Sequence, residues 1–143
     1  MHIHPHPPAA RVRELLAACN LPTADLEAAD LEHFFGCGRA EAPGGVVGVE
    51  LHGAAGLLRS LAVEQSARGR GCGRRLVAQA EAHARQHGVR SLYLLTTTAE
   101  AFFRALGYAR IERERVPDAI RGTAEFSRLC PSSSAVMVKQ LGD

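Results

Sequence analysis

The stretch that most limits what this chain can fold into is Leu57–Val77, LLRSLAVEQSARGRGCGRRLV. An apolar run with strand character (Leu57, Leu58, Leu61, Ala62, Val63) leads into Arg68-Gly69-Arg70-Gly71-Cys72-Gly73, and a helical pattern follows. A strand, a glycine-rich turn and a helix start together suit a pyrophosphate. The first N–H groups of a helix have no intrahelical partner, and the helix dipole adds positive character at that end. Glycines permit positive φ and a close backbone approach. Four arginines, Arg68, Arg70, Arg74 and Arg75, strengthen the local field.

Two other phosphate loops fail on residue type. The nucleotide-triphosphatase loop needs Gly-Lys-Ser/Thr, and Lys139 is the only lysine of the chain. The dinucleotide fingerprint needs G-x-G-x-x-G, whose third glycine falls on Arg74 or Leu76, counted from Gly69 or Gly71. The loop also lies mid-chain, with too little sequence behind it for a doubly wound sheet.

The pattern that fits is Arg/Gln-x-x-Gly-x-Gly/Ala, here Arg68-x-x-Gly71-x-Gly73, after a strand ending Leu61-x-Val63. It resembles the acetyl-CoA signature of the Gcn5-related N-acetyltransferase (GNAT) family. A second landmark follows in order. SLYLLTT (91–97) and AEAFFRALGY (99–108) are similar to a strand and to the family's helix ending Phe-Tyr-x-x-x-Gly-Phe. More narrowly, RSLAV, LLTTTAEAFF, EFSRLCP and SAVMVKQL resemble the ArsN-type acetyltransferases associated with arsenic-resistance operons. The resemblance implies a mixed α/β (α+β) fold with an antiparallel N-terminal meander and splayed central strands. It also implies acetyl-CoA as acetyl donor and the primary amine of a small molecule as acceptor.

At 143 residues the chain is expected to form a single domain over 1–143, with a core of its own. Its 46% hydrophobic and 22% charged residues are ordinary for a globular protein. A net charge of +2, with basic residues gathered at Arg68–Arg75, suits a small anion better than a duplex, so no nucleic-acid partner is expected. No apolar run approaches the roughly 20 residues of a membrane span, and no cleavable signal pattern opens the chain. A cytoplasmic protein without a membrane partner is the expectation. Cys19, Cys37, Cys72 and Cys130 form no C-x-x-C pair, so reduced, mostly buried thiols and no metal site are expected. The arsenic connection raises a thiol site for trivalent arsenic as the alternative. The alternating His2, His4 and His6 would share one face of a strand, where a metal could be imagined. The expectation is frayed terminal residues with adventitious metal affinity.

In chain order, an amphipathic helix is predicted over Ala9–Cys19, with Val12, Leu15, Leu16 and Cys19 on one face and Asn20 at its end. A helical turn capped by Thr23 or Asp25 follows, and Leu21–Leu26 borders the acceptor pocket if the resemblance holds. Strands are predicted at Leu31–Cys37, Val46–His52 and Ala54–Val63, joined by short turns as an antiparallel meander. The helix after the loop turns Leu76, Val77, Ala80 and Ala84 inward, pairs Glu81 with Arg85 outside, and stops at Gly88. Ser91–Thr96 reads as a strand covered on both faces. Thr97 and Glu100 read as a capping box for a helix that turns Phe102, Phe103 and Leu106 inward and ends at Gly107. Tyr108–Glu114 alternates as a strand, Pro117–Ser134 is irregular with a helical turn at Asp118–Gly122, and Ala135–Leu141 closes the chain as a strand.

Acetyl transfer to an amine requires a held thioester, a donor for the developing oxyanion, a base for the amine and an acid for the thiolate. By resemblance, Arg68, Gly69, Arg70, Gly71, Cys72, Gly73 and Arg74 hold the pyrophosphate. Leu61, Ala62 and Val63 pair their backbone with the pantetheine arm, and the Val63 N–H is the candidate oxyanion donor. Phe102 and Phe103 of the second landmark are counted with the cofactor residues. The chain departs from the family pattern twice. Leu57 stands near where a glutamate is common, and Phe103 stands at the position of the acidic tyrosine. Glu50, on the neighbouring strand, is then the substitute base, or else half of a strand-edge salt bridge with Arg59. Tyr108 is the substitute acid, or else a packed aromatic. Glu64 is expected to flank the loop in solvent, while Glu125 and Cys130 could line the acceptor pocket. A non-catalytic acyl-CoA-binding or arsenic-sensing module stays open as the alternative function. The resemblance also allows a homodimer.

Overall fold

The structure, a computed structural model, describes residues 2–21, 23, 30–124, 126 and 134–142. Its contacts group into two compact units: Met1–Glu50 with Leu58–His83, and Leu51–Leu57 with Ala84–Asp143.

The first unit opens with a short strand, β1 (Ile3–Pro5), and a helix, α1 (Ala9–Ala18). β1 pairs antiparallel with β2 (Phe34–Gly38), and β2 pairs antiparallel with β3 (Pro43–His52). β4 (Ala55–Val63) is next in strand order, and α2 (Cys72–Gln86) follows the glycine-rich loop. The expected meander is therefore present. Its terminus corrects one expectation, because the histidine-rich start does not fray. Ile3 faces Cys37 and Pro5 faces Phe35 in the β1–β2 ladder, since the outer backbone groups of β2 offer an edge to pair with. β2 is shorter than predicted, because Asp30–His33 coil into a 3-10 turn before it.

The helical spacing of α1 puts Val12, Leu15 and Leu16 in a core with Leu31, Phe34, Val46 and Ala62. Asn20 ends the helix at φ 57°. There its N–H reaches the Ala17 carbonyl at 3.1 Å, and the Leu21 N–H reaches the Leu16 carbonyl at 2.9 Å. These are the two bonds of a Schellman end, in which asparagine tolerates the left-handed conformation. Gly48 is required by close approach: a Cβ there would lie 2.3 Å from the Phe34 ring.

In the second unit the start of β4 pairs in parallel with β5 (Ser91–Thr96), through Ala55–Ser91, Gly56–Leu92 and Leu57–Tyr93. β5 pairs antiparallel with β7 (Ala135–Gln140), and β7 with β6 (Ala109–Arg110). Two short helices, α3 (Glu100–Ala105) and α4 (Asp118–Arg121), complete it. Leu57, Tyr93, Val116, Ile120 and Val136 form its core. Leu92, Tyr93 and Leu94 are all buried, as a strand covered on both faces requires.

Three predictions are corrected here. The strand expected over Tyr108–Glu114 shrinks to two residues, because Arg113–Arg115 coil into a 3-10 turn and Arg113 donates to the Ser134 carbonyl. Glu81 is buried instead of lying on a solvent face, and Arg85 Nε donates to the Leu141 carbonyl at 2.9 Å. The side chain at the start of α3 is Thr96 in place of Thr97: its Oγ1 accepts from the Ala99 N–H at 3.0 Å. No helix among the described residues is long and apolar enough to cross a membrane.

Candidate active site

The end of β4 is irregular in a way the sequence does not announce. Ser60 sits inside the strand at φ 59°, while the other non-glycine residues with positive φ among the described residues, His6 and Asn20, lie outside strands and helices. A left-handed residue costs on the order of 1–3 kcal/mol and persists where its surroundings hold it. Here Arg59 supplies that hold. Its guanidinium is buried, donating from Nε to Ser60 Oγ at 3.0 Å and from Nη1 to Glu50 Oε2 at 2.7 Å. Glu50, the candidate base, is thus the surface end of this ion pair, with 26% of its side chain exposed against 3% for Arg59. Past Ser60 the strand alternates, with Ala62 buried between the half-buried Leu61 and Val63.

The chain then enters the loop through a clamp. The Glu64 N–H donates to the Gly44 carbonyl at 2.8 Å, and Glu64 Oε2 takes Arg11 Nη2 at 2.7 Å. Arg11 also donates from Nε to the Pro43 carbonyl at 2.9 Å. Glu64 therefore pairs with α1 instead of flanking the loop alone, and the hydrogen bond from Arg11 lowers its carboxyl below the ordinary range. A 3-10 turn, Gln65–Ala67, follows.

Gly69 and Gly71 take φ 81° and 82°, and a Cβ built on either would meet nothing within 4 Å. The first intrahelical bond of α2 runs from the Arg75 N–H to the Gly71 carbonyl at 3.0 Å. The N–H groups of Cys72, Gly73 and Arg74 precede that ladder, and the first turn carries no acidic residue. Arg70, Arg74 and Arg75 are exposed around it. This is an open, glycine-lined helix start in a basic setting, as a pyrophosphate requires. Arg68 is placed differently from its neighbours: its Nε donates to the Val63 carbonyl at 3.0 Å, and its Nη2 lies 3.8 Å from Cys19 Sγ.

Cys72 turns its side chain inward, away from the site, the residue as a whole being 2% exposed. Gly45 faces Cys37 in the β2–β3 ladder, and the Cys72 sulfur lies 2.6 Å from where a Gly45 Cβ would be. Burial, and then its hydrogen bond with Cys37, push the Cys72 thiol up to about 12. A raised value favours the thiol in the folded state, so this contribution to stability is lost as the pH rises from about 9 towards 12. At pH 8 a disulfide reagent should modify the half-buried Cys19 well before Cys37 or Cys72, with both released by guanidinium. Mass mapping of the labelled peptides reads the order, and rapid native labelling of Cys72 would contradict its burial.

In the second unit, Phe103 is buried and Phe102 half-buried, their rings edge to face at 5.1 Å. Phe103 packs on Tyr108 at 5.6 Å, and Lys139 Nζ lies 5.7 Å from the Tyr108 ring centre. Tyr108 is 2% exposed. Leu57 is fully buried in this unit's core. Glu125, Cys130 and most of Leu21–Leu26 lie outside the described residues. Among the described residues no group of three or more His, Cys, Asp or Glu could hold a metal ion.

Sequence reasoning missed Ser60, the Arg11 clamp and the turn of Arg68 towards Val63. None of them has a local signal, since serine is not a residue typical of positive φ and the two arginine contacts join distant positions.

Residues 30–110 match the acetyltransferase (GNAT) domain family. An uncharacterized N-acetyltransferase from Chlorobaculum tepidum is 38% identical over 85 residues, 59% of this chain and 54% of that protein. The chain thus spans about half the length of the curated relative it matches. Among solved structures, N-acetylglutamate synthase from Neisseria gonorrhoeae, complexed with coenzyme A and L-arginine, superposes at a TM-score of 0.83. It is 20% identical, and the match covers 99% of this chain and 33% of that one. An acetyltransferase of the GNAT family from Staphylococcus aureus Mu50 gives 0.74 at 15% identity, covering 98% of both chains. These likenesses show a common fold, and the domain match spans more than half of the sequence. The chain belongs to the GNAT acetyltransferase family.

Proposed function

We propose that this chain is an acetyl-CoA-dependent N-acetyltransferase that acts, as one domain, on the primary amine of a small molecule. The observation that carries the reading is the open start of α2, where Gly69 and Gly71 hold left-handed φ with clear space around them. Those residues fit a diphosphate: the N–H groups of Cys72, Gly73 and Arg74 would hold it, with Arg70 and Arg74 adding charge. The β4–β5 ladder has three pairs, ending at Leu57–Tyr93, whereas β4 continues to Val63. That supports assigning the stretch Leu61–Val63 to the pantetheine arm, with the backbone groups of Leu61 and Val63 on the open edge and the Val63 N–H facing the thioester oxygen. Bound acetyl-CoA would supply the activated acyl group. Glu50 is the proposed base for the amine, one carboxylate oxygen steadied by Arg59. Burial of Tyr108 against Phe103 and Lys139 favours a packing role over that of acid.

The ArsN-like runs suggest amino-acid or antimetabolite acceptors linked to arsenic resistance. The test is thiol release from acetyl-CoA in the presence of a panel of such amines and, separately, of common metabolic amines. Release above the amine-free rate is expected with a member of the first group. Release confined to the second would remove the arsenic link and keep the transferase. A second reading, an acyl-CoA-binding module without turnover, draws on Leu57 and Phe103 at the usual positions of the proton carriers. Tight CoA binding by calorimetry, with no release from any amine, would favour it.

A further inference from the structure

We propose that Arg68 is a positioning residue for acetyl transfer, acting as an N–H donor to the Val63 carbonyl and not as a charge on the diphosphate. The inference rests on reading β4 and its loop as the acetyl-CoA site. The peptide joining Val63 to Glu64 is held from both sides. Its N–H donates to the Gly44 carbonyl at 2.8 Å. Its carbonyl accepts from Arg68 Nε at 3.0 Å, with Cys19 Sγ 3.9 Å away. Arg68 Nη2 lies 3.8 Å from the same sulfur, so guanidinium, thiol and carbonyl close the end of β4 as one cluster.

In an extended strand the N–H and C=O of one residue point to the same edge, and those of the next residue to the other. Because the Glu64 N–H is turned to Gly44 on β3, the Val63 N–H and carbonyl are turned away from β3 together. The Val63 N–H is the group proposed to meet the thioester oxygen. A bare Val63 carbonyl on the same edge would set its negative end beside the position where negative charge develops. Arg68 counters that carbonyl and fixes the peptide plane before any substrate arrives, which is how preorganised dipoles help a reaction. The geometry asks residue 68 for an N–H donor. Glutamine, the neutral alternative in the Arg/Gln-x-x-Gly-x-Gly/Ala pattern, can supply one, and a purely electrostatic diphosphate ligand could not be replaced in that way.

The experiment compares wild type with Arg68→Gln and Arg68→Met, both at an exposed position where folding should survive. CoA affinity is measured by calorimetry, and the carbonyl 13C shift is recorded for bound acetyl-CoA labelled at that carbon. Turnover is followed with the most active amine of the panel. Arg68→Gln should keep the wild-type carbonyl shift and kcat within about twofold. Arg68→Met should move the shift towards that of free acetyl-CoA and lower kcat roughly three- to tenfold, the usual worth of one such hydrogen bond. KM and CoA affinity should stay within about twofold in both. If both variants lose CoA affinity equally, and about 0.5 M salt erases the difference from wild type, Arg68 works through charge and the proposal fails. It fails equally if Arg68→Met matches wild type in shift and kcat. Should no amine turn over, the carbonyl shift decides alone. Absence of CoA binding by the wild type would bring down the reading of the whole site, which separates that failure from this one.

Discussion

Gly71→Glu should lower CoA affinity by on the order of a thousandfold while the protein stays folded. Gly71 sits at φ 82°, and its carbonyl accepts the first intrahelical bond of α2. A carboxylate there would stand about 4 Å from a bound phosphate, where like charges repel by about 4 kcal/mol at the dielectric typical of a protein surface. It would also counter the positive end of the helix. Gly71→Ala separates the two effects. Its Cβ enters open space, so only the left-handed strain of about 1–2 kcal/mol remains, and CoA affinity should fall far less. Calorimetry with CoA, beside circular dichroism to verify folding, gives the comparison. A folded Gly71→Glu protein that binds CoA as wild type does would mean that the loop has been assigned to the wrong ligand.

The second large effect is expected at Glu50. Glu50→Ala removes the carboxylate from a guanidinium whose side chain is only 3% exposed. Breaking a buried pair from one side costs about 3–5 kcal/mol, and the partial exposure of Glu50 places this case at the low end. A fall of roughly 10 °C in Tm follows for a chain of this length. Glu50→Gln keeps an oxygen for Arg59 Nη1 and should lose much less stability. An amide cannot take a proton from the amine, however, so its kcat should drop by about a hundredfold or more if Glu50 is the base. Thermal melts and steady-state rates on the same two variants resolve the question. Wild-type turnover by Glu50→Gln would reduce Glu50 to a partner of Arg59.

Where chain geometry itself dictates residue type, the sequence was readable. The turn before α2 needs left-handed backbone, and Gly69 and Gly71 supply it at φ 81° and 82°. The same holds for Asn20 at the end of α1. Periodicity placed α1 and β5 with boundaries close to those observed, because burial on one face or on two leaves a direct mark on the order of apolar residues. It misled at the ends of two segments read as strands: Leu31–His33 and Arg113–Glu114 coil into 3-10 turns instead.

By itself, then, the sequence determined the loop, the order of strands and helices around it, and the family to which they belong. These depend on neighbours along the chain, and local sterics and hydrophobic period write them into residue order. The tertiary structure alone decided that Ser60 is left-handed within a strand and that Glu64 is tied to Arg11. It also decided that Arg68 turns to the Val63 carbonyl, and that Cys72 fills the space Gly45 leaves beside Cys37. Each of these joins residues brought together only by packing, where a side chain takes whichever partner lies within hydrogen-bond reach.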